Sequence, residues 1–420
     1  MKSISRPLSL ACCSLLGLSS SVYAESEPWL VELGVMNFNE QDRNTGLEFI
    51  ANASRNTADG GKILLGAEVD VITGATPNGA SSSNTIQTFT MSSGVGSYSV
   101  GPGELPADDT HMDTRLDLHF KRETPLLENV DASYNALISM EFDYLAFAAG
   151  GSLAWDFNKK NTTLIGAMNL EYNRVHPVGN IPIPLASMQP AGSPQPREVA
   201  AKSKIGEEFS IGINQVIDRH SLVQVSFTHS HFSGYLNDPY KLLSIIDDQN
   251  TATLGQTLDY VFESRPDDRS MQSIYLAYRR DFDSGVLDLG YRRYSDSWDV
   301  ASNTYELAYR FKLASQYYIR PSLRFYKQQQ AEFYAHSLHS SQPLPEYASA
   351  DLRLADFTAT TIGLELGRSR EQEGSQSLAL EYYTQQGDSH PADAVGIQQS
   401  QDLYPSLKTL VIKYSYAYQW

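Results

Sequence analysis

Residues 410–420 read LVIKYSYAYQW. Leu410, Ile412, Tyr414, Tyr416, Tyr418 and Trp420 share one parity, and Val411, Lys413, Ser415, Ala417 and Gln419 the other. Side chains alternate across an extended strand, so one face is large, apolar and aromatic-tipped and the other small or polar. Two environments accept such a strand. In a soluble sandwich the aromatic face packs into a core. In a closed barrel it meets lipid, with Tyr and Trp at the water boundary. The aromatic last residue favours the second, and the strand resembles the C-terminal signal strand of bacterial outer-membrane barrels, which the barrel assembly machinery reads.

The same alternation recurs upstream. Trp29, Val31, Leu33 and Val35 begin it, and Ile63, Leu65, Ala67, Val69 and Val71 continue it. Met112, Thr114, Leu116, Leu118 and Phe120 alternate with Asp113, Arg115, Asp117, His119 and Lys121. Leu164 to Tyr172, Tyr305 to Leu313, Tyr317 to Phe325 and Leu378 to Tyr382 repeat it. The spacing predicts about 16 strands, an even number as bacterial barrels require. Connections alternate in length: short near 56–61, 158–161, 218–221, 283–285, 314–316 and 369–375, long at 74–110, 175–203, 234–270, 328–356 and 386–406. Two connections of the long-loop parity, 39–44 and 140–144, are short. Tight periplasmic turns and long extracellular loops give this rhythm. The expected fold is an all-β, transmembrane, antiparallel up-and-down barrel at 25–420. No helical periodicity exceeds a turn or two.

Met1 to Ala24 reads as a signal peptide: Lys2 and Arg6, an apolar stretch from Leu8 to Leu18, then Val22-Tyr23-Ala24 before cleavage. Export to a bacterial outer membrane follows as the expectation. Both cysteines, Cys12 and Cys13, lie in that segment, so disulfides and thiolate sites are not expected beyond it. The formal charge of −17 argues against nucleic acid as a partner.

The order and wording of several segments resemble a known family. They are ITGATPNGA (72–80), MEFDY (140–144), FNKKNTTL (157–164), GYLNDPYKL (234–242), ESRPDDR (263–269), YRRYSDSWDVASNTYEL (291–307), RFYKQQQAEFY (324–334) and ASADLRL (348–354). The family is catalogued as domain of unknown function three-five-seven-zero. The resemblance runs from about Thr45 onward and implies an outer-membrane barrel of unassigned activity. It also implies, by association, a small lipoprotein or a periplasmic redox protein as partner.

Three constellations merit a functional reading. Arg292, Arg310, Arg320 and Arg324 share the lumen parity of three consecutive strands, with Asp288 and Glu306 among them. Unpaired, they would set the field of a pore. Paired, they would plug it. His229 and His231 have metal-ligand types, but share parity with Val223, Val225 and Phe227 and so point at lipid; His336 and His339 sit in a long loop. Asp296 and Asp299 flank Trp298, and Asp267 and Asp268 lie between Arg265 and Arg269. Oxygen ligands suit a hard cation, whereas turn capping with local Arg pairing needs no ion. No G-x-S-x-G, H-E-x-x-H or phosphate-cradling loop is present, so neither an enzyme nor a cofactor is expected. The function reading is a porin-like channel or a scaffold barrel with lipid around it, against an outer-membrane enzyme or a secreted soluble β-protein.

Overall fold

The computed structural model describes residues 28–108, 111–313, 316–370 and 374–420. The expected signal peptide, and parts of the expected turns at 314–316 and 369–375, lie outside the described residues.

Sixteen antiparallel strands close into one barrel among the described residues. In chain order they are β1 (Leu30–Glu40), β2 (Asn44–Asn56), β3 (Lys62–Gly74), β6 (His111–Leu127), β7 (Val130–Met140), β8 (Tyr144–Phe157), β9 (Thr162–Val175) and β10 (Lys202–Asp218). The second half is β11 (Ser221–Gly234), β14 (Asp268–Phe282), β15 (Gly285–Asp296), β16 (Ala301–Lys312), β17 (Tyr317–Gln329), β19 (Phe357–Arg370), β20 (Gly374–Gly387) and β21 (Leu407–Gln419). The remaining five strands belong to the loops: β4 (Gln87–Thr90), β5 (Ser97–Val100), β12 (Leu242–Ile246), β13 (Thr257–Phe262) and β18 (Leu338–His339). Every barrel strand pairs with its sequence neighbour in the wall, and β21 closes on β1 from Leu30↔Gln419 to Glu40↔Thr409. Closure leaves no unpaired edge, the condition for spanning lipid with strands. The soluble sandwich is therefore not what forms.

The alternation expected from sequence sorts outside from inside. Leu33, Leu65, Leu170, Leu307, Leu380 and Leu410 all face outward and exposed, Leu307 at 45%. The opposite parity supplies the interior: Ser210, Ser226, Thr228, Thr304 and Thr409 are buried there. Outward aromatics gather at two levels. Trp155–Phe157 and Tyr309–Phe311, with ring centroids 4.4 Å apart in each pair, lie near the termini. Tyr291–Tyr305, at 5.1 Å, lie towards the long loops. Two such belts around an apolar band are what a bilayer requires.

All five long loops leave from the end opposite the termini. A third short connection at that end, Ser297–Val300 between β15 and β16, adds to the two expected ones. Trp298 and Val300 of this connection are both buried in the loop layer at 3% exposure.

The long loops interlock into one roof. β12 pairs antiparallel with β13 and parallel with β18, which comes from a different loop. Leu242 N–H donates to Asn78 O at 2.7 Å, Leu185 N–H to Phe262 O at 3.0 Å, and Ser264 and Ala348 exchange backbone bonds of 2.9 and 2.8 Å. Gly255, at φ +82°, packs so tightly on the 388–406 loop that a Cβ would collide with the Val395 carbonyl. Three apolar cores hold this layer: Ala80, Phe89, Leu242 and Phe262; Leu243, Val261, Ala348 and Ala350; Trp298, Val300, Ala331 and Leu354. Lone loops would bury little; four sharing these cores, with the fifth bonded to them through Ile397 N–H to Leu254 O at 3.0 Å, behave as a small folded body.

Candidate functional site

The lumen is the candidate site. The barrel register brings Arg320 of β17 between Asp288 of β15 and Glu365 of β19, at 3.7 and 3.6 Å. Arg324 lies 3.5 Å from Glu306 of β16. Arg310 stacks over the Tyr318 ring at 3.7 Å, and no carboxylate among the described residues is within ion-pair distance of it. Arg292 sits over Tyr275, 5.1 Å from its centroid. The expected cluster thus splits. Arg320 and Arg324 are matched by carboxylates, and Arg310 rests on a tyrosine, a cation–π arrangement that leaves its charge in the lumen. Arg279, which donates to Asp288 at 2.5 Å, and Glu365 were missed by sequence reasoning. Parity placed both on the lumen face, but only the register shows whom they meet.

Arg310, Arg320 and Asp288 line a cavity of about 590 Å³ at the terminal end, together with Asp218, Arg219, Tyr318 and Glu365. Tyr318 also borders a second space of about 320 Å³, reaching Glu32, Asn52 and Ser415. Arg292, Arg324 and Glu306 border neither. A third chamber, about 240 Å³, lies under the roof. Its walls come from β6 to β11 and from β14, and its ceiling from Tyr235, Leu236, Asp238, Arg265 and Arg353 of the loops.

The roof is pinned over that chamber by buried charge. Arg265 Nη2 donates to Glu263 at 2.8 Å and to Asp351 at 2.9 Å, and its Nε lies at ion-pair distance from Glu263, 2.7 Å. Their side chains are 5%, 1% and 4% exposed. Arg353 binds Asp351 and, at 3.0 Å, Asp238. Ser349 Oγ donates to Glu263 at 2.6 Å. Burial pushes the Glu263 carboxyl up despite Arg265. At Asp351 burial acts the same way, but the guanidiniums of Arg353 and Arg265 and the Lys241 ammonium outweigh it and hold the carboxyl well below the usual range. ESRPDDR and ASADLRL, noticed only as shared wording, are thus the two halves of one network 86 residues apart.

The other candidates resolve plainly. Asp296 accepts from Trp298 N–H at 2.9 Å and Val300 N–H at 3.0 Å, and Arg269 Nε donates to it at 2.9 Å. Arg269 also covers the Trp298 ring at 4.1 Å. This is turn capping with Arg pairing, as the bland reading had it. His229 and His231 lie on the outward parity of β11, where His231 meets Ser270 at 3.0 Å. His339 faces Asp248 at 3.4 Å. Among the described residues, metal-ligand spacing occurs at Glu48, Glu68 and Asp70, and Arg115 already bonds Asp70 and lies 3.5 Å from Glu68. The closing face from Leu410 to Tyr414 points outward as expected, and Trp420 is 80% exposed.

A closed sixteen-strand wall, apolar outside and charged within, defines a transmembrane β-barrel of outer-membrane type. The model of a family described as protein of unknown function (DUF3570) matches residues 5–418, and the chain belongs to that family. No curated protein matches the sequence. Solved structures similar in fold include the siderophore receptor PirA from Acinetobacter baumannii, at 11% identity and TM-score 0.43 over 93% of this chain and 58% of that one. A bacterial polysaccharide outer membrane secretin matches at 9% and 0.44, over 95% and 99%. The outer membrane protein opdK from Pseudomonas aeruginosa matches at 8% and 0.40, over 94% and 99%. The chain thus spans 58% of the siderophore receptor's length.

Proposed function

We propose that this protein is an outer-membrane channel that admits small charged or dipolar solutes past a closable roof, with no turnover of its own. The supporting observation is that side chains do not fill the barrel. Spaces of about 590 and 320 Å³ lie at the terminal end and one of 240 Å³ under the roof; the first is lined mainly by charged residues, the second by polar ones with Glu32, and the third by apolar and charged groups together. The terminal end would face the periplasm, the roof the exterior, and the outward face lipid. Residues 410–420 would carry the signal for barrel assembly. A second reading, docking of a small lipoprotein or a periplasmic redox protein on a plugged scaffold, is favoured by the packing of the roof. Single-channel recording on the refolded protein separates the two. Small conductance in the wild type, enlarged when Arg265→Ala loosens the roof, supports passage. Silence of both, from barrels that still migrate in a heat-modifiable way, overturns passage and leaves docking. Turnover with exhaustively metal-analysed protein would overturn the non-enzymatic part.

A further inference from the structure

We propose that the chamber under the roof is a binding site for a small organic cation with an apolar body and one hydrogen-bond-accepting oxygen, Glu208 being its counter-charge. The inference rests on the channel reading and deepens it by naming the class of solute.

Three observations carry it. The first is charge. Glu171 of β9 and Glu208 of β10 both face the chamber from adjacent strands. Glu208 is 5% exposed and is held only by neutral groups, Ser230 Oγ at 3.2 Å and Asn169 Nδ2 at 3.5 Å. Among the described residues no cation lies within ion-pair distance of either carboxylate. The arginines around the chamber are engaged elsewhere: Arg115 with Asp70, Arg265 with Glu263 and Asp351, Arg269 with Asp296, and Arg353 with Asp351 and Asp238. Lys204 also borders the space, its ammonium 5.3 Å from the Tyr144 ring centroid. A buried carboxylate without a counter-ion is costly, and a cationic ligand removes that cost.

The second observation is independent of charge. Asn173 is 0% exposed; its Oδ1 accepts from Tyr144 OH at 2.6 Å, while its Nδ2 has no partner within the protein. Tyr235, 7% exposed, likewise has an unpartnered hydroxyl. Both line this chamber, one from the wall and one from the roof. Buried donors are ordinarily satisfied, so two converging on one space mark where a ligand acceptor sits.

The third is shape. Between these polar ends the lining is Leu137, Val175, Phe232, Leu236, Met271 and Trp298. The volume of 240 Å³ equals about eight waters at roughly 30 Å³ each, suiting a ligand of around ten heavy atoms. An apolar lining with a few placed polar groups is how small-molecule sites are built. A metal ion would not use the aromatic wall, and an anion would meet two carboxylates.

The test uses the full refolded chain and titration calorimetry with tyramine, a primary amine bearing a phenolic oxygen. Phenylacetate, of similar size and opposite charge, is the control. Each probe is added both before and after refolding, so that passage through the roof is not limiting. Saturable tyramine binding is expected, with none by phenylacetate. Glu208→Gln should weaken it at least about tenfold, the scale of a charge-assisted bond. Tyr235→Phe should weaken it less, and Glu381→Gln, outside the chamber, should leave it unchanged. Heat-modifiable migration checks that each variant is a closed barrel. No saturable tyramine binding by a closed barrel, equal binding of phenylacetate, or binding unaltered by Glu208→Gln overturns the inference. Failure here beside open-channel currents leaves the channel reading standing; binding without any current removes that reading and keeps the site.

Discussion

Arg265→Ala is the sharpest perturbation of the roof. Its Nη2 donates to Glu263 at 2.8 Å and to Asp351 at 2.9 Å, its Nε lies 2.7 Å from Glu263, and all three side chains are at 5% exposure or less. Truncation leaves two carboxylates buried, Glu263 without its ionic partner and Asp351 with Arg353 and the Lys241 ammonium. Removing one member of a buried ion pair costs about 3–5 kcal/mol. At tenfold per 1.4 kcal/mol, that raises the open-roof population roughly a hundred- to several-thousand-fold. The barrel wall has its own backbone ladder and should not feel the change. Limited proteolysis reads the difference: the 235–267 and 330–356 loops become susceptible while heat-modifiable migration persists. Adding Glu263→Gln should recover part of the protection, because a neutral amide can still accept from Ser349 Oγ without an orphaned charge. A closed Arg265→Ala barrel with loops as resistant as the wild type would refute the argument that this network holds the roof.

Three further expectations concern charge and closure. Arg310 has no carboxylate within ion-pair distance among the described residues, whereas Arg324 has Glu306 at 3.5 Å. One uncompensated charge about 7 Å from the ion path in water is worth about 0.6 kcal/mol. Arg310→Ala should therefore lower local anion concentration about 2.7-fold and raise cations similarly, and Arg324→Ala should change the reversal potential less; equal shifts would contradict the assignment. The roof should also respond to pH with two opposed signs. Glu263, raised by burial, favours the closed roof below its ordinary 4.5 and loses that contribution as pH rises through its folded value. Asp351, where cations outweigh burial, stabilises fully above its ordinary 3.8 and less as pH falls through its depressed folded value. Protection of roof amides, as exchange corrected for the intrinsic rate at each pH, should rise slightly from neutral pH towards 4.5 and fall below 3.8; protection rising monotonically into acid would count against Asp351. Deleting residues 410–420 removes the partners of β1 from Leu30 to Asn39. It opens two edges, and the heat-modifiable species should vanish.

Alternation alone gave the barrel, because period two is a local property and lipid accepts only one parity. It placed Leu307 outside and Arg310 inside, put His229 and His231 on the outer face, and separated tight turns from long loops. It did not say that Trp298 and Val300 of the Ser297–Val300 connection would be buried. Family membership was also legible, in wording that carries over between chains. Tertiary structure decided everything that depends on who meets whom. Closure sets the register that gives Arg320 two carboxylates and Arg310 a tyrosine. The roof joins Arg265 to Asp351 across 86 residues. The chamber brings Glu208, Asn173 and Tyr235 together from two strands and a loop. Parity tells a side chain which solvent it faces. It says nothing about its partner, because pairing across a lumen or between loops depends on where the chain returns, and that is fixed only when the whole barrel closes.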